Sequence, residues 1–385
     1  MTWGHVERRL WTPRLSDRGP FEVEVFLPGR LAAELPSFRT PAGVIEAEKG
    51  LAALRGVRAV GAVAPMLLRA EGIASSRVEG LFLGTRRLFE ARHAPETIDD
   101  RTAAQVLNNM SVMEDVVRSA GQGVTTEIVK SWHAALFGEV VSEAFQPGEW
   151  RSVQNWIGGD ALSPARARFI PPPPEFVPEL MDDLVAYAGR ADSGPLVQAA
   201  IAHGQFETIH PFVDGNGRVG RALIYRILAY RGALPVMAPP ISPILVERKE
   251  EYIAELERYR SGDFESWIAF FADALLEAVA YTRRLSTRLD VVRKGWSDAL
   301  AGVRRDALVH RIIEDLVATP VLDRSSVVAT YGVSGETSRR ALQSLADHGI
   351  VEERPLRRAR RGRPARAYEA PEVFALLDTP PSQLA

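Results

Sequence analysis

The chain has 385 residues, of which 46% are hydrophobic and 25% are charged, so it is long enough for about two or three domains and is not disordered as a whole. Its formal net charge of −2 argues against electrostatic binding of nucleic acid by the molecule as a whole, so any basic patch must be local. The absence of cysteine excludes disulfides, thiolate nucleophiles and zinc–cysteine sites, and a cytoplasmic protein is expected because no signal-peptide-like or membrane-spanning run is present.

The first predicted elements are a short strand and a long helix. Phe21–Phe26 alternates apolar with acidic residues, which favours a strand. From Pro65, apolar residues recur three or four positions apart, and a helix is expected to run to a glycine stop at Gly80. The same periodicity predicts further helices at 102–119, 125–136, 175–190, 194–208, 217–231, 248–260 and 264–289.

A different pattern lies between Gly148 and the four prolines that begin at Pro171. Aromatic and β-branched residues flank Gly158 and Gly159, which predicts a β-hairpin about a glycine turn. Proline cannot donate a hydrogen bond to a neighbouring strand, so the hairpin should end at the proline run. The sequence therefore predicts a mainly α fold with one small hairpin and a separate C-terminal module.

Residues 306–370 resemble a winged helix-turn-helix. Three short helices are predicted there, at 306–318, 324–331 and 336–348, and the last has the apolar spacing of a recognition helix. The following segment, 354–366, contains seven arginines and no acidic residue, and would be the wing. Such a patch suits contact with DNA phosphates or insertion into the minor groove. The alternative is a module for protein contacts whose loop is incidentally basic.

The run from His210 to Arg221 carries the chemistry and reads His-Pro-Phe-Val-Asp-Gly-Asn-Gly-Arg-Val-Gly-Arg. Its Gly-Asn-Gly turn, 215–217, opens a helix whose free N–H groups form an anion site together with the glycine backbones. Arg218 and Arg221 are three positions apart and can reach the same anion. Asp214 is an oxygen ligand suited to Mg²⁺, and His210 is suited to accept a proton from an attacking hydroxyl. These residue types together indicate phosphoryl-type transfer.

At every specified position this run matches the Fic family motif, His-x-Phe-x-Asp/Glu-Gly-Asn-Gly-Arg-x-x-Arg, and the chain resembles Fic proteins from about residue 60 to 280. The resemblance implies a Fic-type helical core that transfers AMP from ATP to a Tyr, Ser or Thr hydroxyl of a target protein and releases pyrophosphate. It implies that His210 is the base and that Asp214 holds Mg²⁺. In the kinase-like Doc branch of the family, a lysine occupies the position that corresponds to Gly217. The glycine in this chain therefore favours AMP transfer over phosphate transfer.

The resemblance also implies roles for the neighbouring residues. Asn216 would cradle the phosphates with Gly215 and Gly217 and would reach the α-phosphate, while Phe212 would be a buried anchor. Further nucleotide contacts are implied for Arg218, Arg221 and Tyr252. The hairpin would be the family's flap, which docks the target by strand addition, mostly through main-chain hydrogen bonds. The flap residues implied in this docking are Asn155, Phe169 and Ile170.

Ser75 and Glu79 are four positions apart and precede Gly80, on a helix expected over about 64–81. Taken alone, they form a polar stripe that ends at a glycine. Their spacing also matches the Fic inhibitory motif, Ser/Thr-x-x-x-Glu-Gly/Asn, which implies that Glu79 pairs with Arg221 and displaces the γ-phosphate. A carboxylate in that position competes with phosphate for the same donors. The same glutamate could orient water for the reverse reaction, removal of AMP.

The expected domains are an N-terminal helical region (1–105), a Fic core (106–290) and the winged-helix module (291–385). The expected partners are ATP, a target protein, the chain itself through self-modification, DNA through the C-terminal module, and a second copy in a homodimer. No membrane partner is expected.

Two other functions stay open at the level of sequence. His203, Glu207 and His210 recur on one helical face, as metal ligands can, which would suit a metal-dependent hydrolase. A transcription regulator would use the winged helix as its working part, but this function leaves the run from His210 to Arg221 unexplained.

Overall fold

The computed structural model describes residues 3–12, 19–56, 58–88, 101–138, 145–160, 162–234, 239–355 and 366–384. The α-helices are α1 (Leu31–Glu34), α2 (Gly43–Ala53), α3 (Arg58–Val78), α4 (Arg101–Arg118), α5 (Thr126–Phe137), α6 (Val177–Ala188), α7 (Pro195–Ile209), α8 (Asn216–Tyr230), α9 (Ser242–Glu247), α10 (Lys249–Ser261), α11 (Phe264–Ala299), α12 (Leu308–Leu316), α13 (Arg324–Tyr331), α14 (Gly335–Asp347) and α15 (Pro371–Asp378). The strands are β1 (Gly4–Trp11), β2 (Phe21–Pro28), β3 (Val321–Asp323), β4 (Glu352–Pro355) and β5 (Arg366–Glu369). The predicted mainly α fold is confirmed. Within these ranges no helix is both long and apolar enough to cross a membrane.

The chain folds as two compact units, each assembled from separated stretches. Unit 1 comprises Met1–Ala52, Ser111–Pro235 and Arg248–Leu276, and unit 2 comprises Ala53–Met110, Val236–Glu247 and Glu277–Ala385. Because α4 and α11 each begin in one unit and end in the other, the units do not follow simple cuts in the sequence. The predicted division into 1–105, 106–290 and 291–385 stays a prediction.

Two of the predicted helices differ clearly in length from those observed. Helix α3 begins at Arg58, so Pro65 lies inside it and does not begin it. Proline lacks one N–H, and the buried side chains of Met66 and Leu67 hold the helix at this point. Helix α11 continues past Gly295 to Ala299. Trp296, which is 3% exposed, anchors this extension, since its burial outweighs the weak helix propensity of one glycine.

Unit 1 contains an N-terminal hairpin that the sequence predicted only in part. The expected strand Phe21–Phe26 lies in β2, and β2 pairs with β1 in an antiparallel register from Gly4↔Pro28 to Trp11↔Phe21. One face of β2 is apolar and packs on Ile170, and the N–H of Phe26 donates to the Ile170 carbonyl at 3.0 Å.

The predicted hairpin at 148–170 is held by isolated bridges, not by long strands. Ile157 pairs with Phe169, and Asp160 pairs with Ser163. A 3-10 turn at Pro164–Arg166 interrupts the second arm, where proline cannot donate to a ladder. We call residues 155–170 the flap; Ala161 lies outside the described residues.

Helices α7 and α8 form the centre of unit 1 and are buried along almost their whole lengths. They pack closely at Gly220, where an added Cβ would lie 2.6 Å from Oε1 of Glu207 and 3.0 Å from the ring of Phe206. Any larger residue there would push the helices apart. This packing fixes the end of α7 against the start of α8, and the run identified from the sequence comprises the segment that joins them and the first turns of α8.

Unit 2 contains α3 and the C-terminal elements. The carboxylate of Glu71 on α3 is 1% exposed and accepts a hydrogen bond from the N–H of Ser242 at 2.8 Å, which ties α3 to the start of α9. The three predicted C-terminal helices are present as α12, α13 and α14. Strands β3, β5 and β4 form an antiparallel sheet in that order. The winged helix-turn-helix stays a prediction, and residues 356–365 of the expected wing lie outside the described residues.

Candidate active site

His210 ends α7 in the left-handed region of the backbone, with φ 51° and ψ 60°. Among the residues that the structure describes, no other residue except glycine has a positive φ. The helix stops here because Pro211 has no N–H to continue its hydrogen bonds. The imidazole remains 20% exposed, and its Nδ1 lies 3.9 Å from Oε2 of Glu207. This conformation is uncommon for a residue other than glycine, and such residues cluster at functional sites.

Two asparagines hold the backbone of Phe212. Asn216 accepts from the Phe212 N–H through Oδ1 and donates to the Phe212 carbonyl through Nδ2, both at 2.8 Å. Asn155 donates to the same carbonyl at 2.9 Å. The ring of Phe212 is fully buried, as an anchor should be. In this structure Asn216 thus closes the loop onto the first turn of α8, and its contact with the α-phosphate stays a prediction.

The Gly-Asn-Gly turn requires glycine at its first position. Gly215 has φ 80° and ψ 4°, and a Cβ there would lie 2.8 Å from the Phe137 ring. Gly217 lies in the first turn of α8, where helical N–H groups point outward without intrahelical acceptors. The predicted turn therefore places the N-terminal end of a helix at the loop, and binding of an anion there stays a prediction.

Arg218 and Arg221 lie one turn apart on α8, and each is 1% exposed. The guanidinium carbon of Arg218 lies 5.0 Å from the centre of the Phe137 ring, and its Nη2 lies 3.8 Å from Oδ1 of Asp214. Arg218 therefore adds a buried positive charge beside the helix N-terminus, and Arg221 adds a second buried positive charge one turn further along α8. The geometry is suited to an anion that carries several negative charges.

Asp214 is suited to the role of a magnesium ligand. Its side chain is 63% exposed, and Oδ1 accepts from the N–H of Gly215 at 2.6 Å, which leaves Oδ2 for a cation. Magnesium in nucleotide sites is commonly held by one or two carboxylates together with the phosphates, so one accessible carboxylate beside an anion site fits this ion.

His133 was not identified from the sequence, and it supports the loop from α5. Its ring stacks on Phe212 with centroids 3.8 Å apart and planes at 5°. Nδ1 accepts from the N–H of Gly148 at 2.8 Å, so the ring proton is on Nε2, which donates to the Asp214 carbonyl at 3.1 Å. Burial lowers the pKa of His133 to about 4. His133 is therefore a neutral support of the loop at ordinary pH.

Arg151 is a second residue that sequence reasoning missed. It is 3% exposed, its Nε donates to the His210 carbonyl at 2.9 Å, and its own N–H donates to the Pro211 carbonyl at 2.9 Å. Its only local signal is its position two residues after Glu149, in an aromatic-rich stretch, which says nothing about partners 59 residues away.

The predicted nucleotide contact Tyr252 lies on α10 and is 4% exposed. Its hydroxyl is hydrogen bonded to Nε2 of His203 at 2.8 Å. Burial lowers the pKa of His203 to about 3, so this ring is neutral and the pair is a buried polar contact between α7 and α10. A nucleotide contact by Tyr252 stays a prediction.

The other predicted flap residues face different surroundings. The ring of Phe169 packs against the guanidinium of Arg260, whose carbon lies 3.6 Å from the ring centre. Ile170 is 8% exposed and belongs to the apolar cluster under the N-terminal hairpin. A cavity of about 650 Å³ borders Phe169 on the side of β2. Docking of a target segment on the flap stays a prediction.

The predicted inhibitory pair lies in unit 2, at the end of α3. Ser75 is fully buried, whereas Glu79 is exposed and lies one residue beyond the last residue of the helix. The N–H of Glu79 donates to the Ser76 carbonyl at 3.1 Å, and Gly80 follows with φ 81°. The predicted helix over 64–81 thus ends at Val78, because the left-handed glycine closes it. Pairing of Glu79 with Arg221 stays a prediction.

The series His203, Glu207 and His210 lies along α7, as its spacing predicted. The His203 ring is turned to Tyr252, while Glu207 and His210 approach each other near the end of the helix. In the described portion of the chain, no group of three or more His, Cys, Asp or Glu side chains is arranged to hold a metal ion. This series therefore does not form a preassembled three-ligand site.

Residues 123–228 match the Fic/DOC family. Among curated relatives, the protein adenylyltransferase fic-1 of Caenorhabditis elegans is 30% identical over 152 residues, which cover 39% of this chain and 27% of the relative. The protein adenylyltransferase Fic of Drosophila melanogaster is 29% identical over 196 residues, which cover 49% of this chain and 36% of the relative. The chain thus spans between about a quarter and two fifths of the length of these relatives.

Two solved structures share the fold. A Fic family protein from Desulfovibrio desulfuricans has a TM-score of 0.53 at 23% identity, over 88% of this chain and 98% of that chain. A Fic domain containing signaling protein from Bacteroides thetaiotaomicron has a TM-score of 0.52 at 17% identity, over 64% of this chain and 97% of that chain. Residues 123–228, which contain the whole run from His210 to Arg221, are therefore the part of the chain that is similar to the Fic/DOC family.

Proposed function

We propose that this protein is an adenylyltransferase that moves AMP from ATP to a Tyr, Ser or Thr hydroxyl of a target protein. The observation that carries the proposal is the junction of α7 and α8, where one loop presents a histidine, an exposed carboxylate and a glycine-built helix N-terminus beside two buried arginines. The relatives that are named protein adenylyltransferases support the same activity.

In the proposed reaction, His210 accepts the proton of the target hydroxyl. The hydroxyl oxygen then attacks the α-phosphorus, a new oxygen–phosphorus bond forms, and the bond from the α-phosphorus to the bridging oxygen of the β-phosphate breaks. Pyrophosphate leaves with the electron pair. The N–H groups of the Gly215–Gly217 turn and the guanidinium groups of Arg218 and Arg221 bind the phosphates.

Asp214 would hold Mg²⁺ together with the phosphates, and the bound ion would reduce the negative charge that the hydroxyl oxygen must approach. Two groups of the protein hold Asp214 in place for this role. The N–H of Gly215 fixes one carboxylate oxygen, and His133 fixes the Asp214 carbonyl.

The proposal is tested by following separate labels on the α-phosphate and the γ-phosphate of ATP. With the purified protein and Mg²⁺, label on the α-phosphate should be incorporated into protein, and label on the γ-phosphate should be released as pyrophosphate. Gly217 supports this direction, because a lysine at that position accompanies phosphate transfer in the Doc branch. Incorporation of the γ-label would contradict AMP transfer, and incorporation of neither label in any target mixture would remove the transferase proposal.

We also propose that Glu79 restrains the reaction by competing for Arg221, and that the C-terminal module is a winged helix-turn-helix that binds DNA. The order helix, strand, two helices and two strands from α12 to β5 supports the second part. Arg339 and Arg340 are exposed on α14 and share an ion pair with Glu336, which leaves a net positive charge there. The arginines at 354–366 provide further positive charge.

DNA binding by this module should depend steeply on salt. If about four phosphates are contacted, raising monovalent salt from 50 to 200 mM should weaken binding of the full chain to duplex DNA about a hundredfold. Replacing Arg357, Arg358, Arg360 and Arg361 by glutamine should reduce the slope of log K against log salt. A slope unchanged by these replacements, or no binding at low salt, would favour a module for protein contacts.

A further inference from the structure

The guanidinium of Arg151 lies where three segments of unit 1 meet. Its Nε donates to the His210 carbonyl at 2.9 Å, and its Nη2 donates to the carbonyls of Ile209, at 3.3 Å, and Pro172. Its Nη1 donates to the Val153 carbonyl at 3.2 Å. One side chain therefore binds the last residues of α7 and the segments that lead into and out of the flap.

A guanidinium in this position is costly unless its donors are used. Burial lowers the pKa of Arg151 to about 10, which still leaves the group charged at neutral pH. Four backbone carbonyls provide the acceptors that compensate for lost water. Only the planar, forked guanidinium can donate to four carbonyls in different directions, and a lysine ammonium cannot reproduce this arrangement.

The carbonyls that Arg151 binds belong to the most unusual backbone of the site. His210 is held in the left-handed region, and the hydrogen bond to its carbonyl fixes the peptide plane on its C-terminal side. The N–H of Arg151 fixes the next carbonyl, that of Pro211. This backbone sets the direction of the Cα–Cβ bond of His210 and thereby limits the positions that the imidazole can reach.

We infer that Arg151 is the positioning residue of the base: it holds the backbone of His210 so that the imidazole faces the attacking hydroxyl, and it joins this backbone to both ends of the flap. The inference rests on the proposed function. Because the flap is the proposed docking surface for the target, the same guanidinium connects placement of the target with placement of the base. ATP has its own groups in the Gly215–Gly217 turn and the α8 arginines, so its binding should not require Arg151.

The test uses the full chain with Arg151→Lys and, as matched control, Arg226→Lys. Arg226 is also a buried arginine of unit 1, and its Nη1 donates to the Ser119 carbonyl. It lies near the C-terminal end of α8, far from the loop. Self-labelling from α-labelled ATP is measured at increasing ATP to give the maximal rate and the half-saturating concentration, and ATP affinity is measured directly by calorimetry.

Arg151→Lys should lower the maximal rate about a hundredfold while the half-saturating ATP concentration and the calorimetric affinity change less than about threefold, as expected for lost general-base placement. Arg226→Lys should leave the maximal rate within about threefold. The imidazole NMR signal of His210, assigned by its absence in His210→Ala, should shift in Arg151→Lys and stay unchanged in Arg226→Lys.

Arg151→Gln provides a second variant, since it removes the charge that Arg151→Lys would keep buried. An unchanged maximal rate in either folded variant would overturn the inference. Joint loss of rate and ATP affinity, or failure of both variants to fold, would assign Arg151 a purely structural role and would also overturn it. If the wild-type chain incorporates no α-label, it is the proposed function that fails; if wild type labels and Arg151→Lys labels equally, only this inference fails.

Discussion

His210→Ala should incorporate no AMP above background while it still binds ATP. The base contributes about a hundredfold to ten-thousandfold in reactions of this kind. The positions of the phosphate-binding groups do not depend on the imidazole, because the loop carbonyls are held by other side chains, including Arg151, Asn155 and His133. His210→Ala should therefore lose incorporation of label from α-labelled ATP and retain the ATP affinity measured by calorimetry.

His210→Asn is the matched variant for this experiment. Asparagine adopts the left-handed region more readily than alanine, so it preserves the backbone at φ 51° while it removes the base. His348→Ala, at an exposed position of unit 2, controls for loss of any histidine. Transfer at a near wild-type rate in His210→Asn would remove His210 from the mechanism, and loss of ATP binding in both His210 variants would mean that the side chain organises the nucleotide site.

The sequence predicted the parts of the site that are local in the chain. The proposed base, the carboxylate, the glycine turn and both arginines lie within twelve consecutive residues, so their spacing determines their arrangement at the α7–α8 junction. Helix periodicity likewise located most helices, because a buried face repeats every three or four residues.

The supports of the site could not be predicted in the same way. His133 and Arg151 bind backbone carbonyls that are 81 and 59 residues away in the chain, and a carbonyl acceptor has no residue type by which the sequence could reveal it. The strands β1, β4 and β5 were missed because they lack the apolar alternation of a half-buried strand, and each is held by a partner strand instead. The contacts that could not be predicted are thus tertiary: side chains that bind distant carbonyls, and main-chain pairing between strands.

Glu79→Gly should raise incorporation of AMP, including self-modification, by about tenfold to a thousandfold. The carboxylate is proposed to occupy the donors of Arg221 that the γ-phosphate needs, and each tenfold corresponds to about 1.4 kcal/mol, so a lost charge pair worth a few kcal/mol covers this range. The substitution should not disturb the helix, since α3 already ends at Val78 and is anchored through Glu71. The measurement is incorporation from α-labelled ATP by purified variants at identical Mg²⁺.

Three further variants separate the carboxylate from the backbone. Glu79→Gln keeps the length but removes the charge, so it should approach the activity of Glu79→Gly if charge causes the restraint. Glu79→Asp keeps the charge but loses reach, so its gain should be smaller. Glu79→Gly combined with Arg221→Ala should show no gain, because the released arginine is then absent. Equal labelling by wild type and Glu79→Gly would refute the restraint and leave the transferase proposal standing, whereas a full gain in the double variant would mean that Glu79 acts on a group other than Arg221.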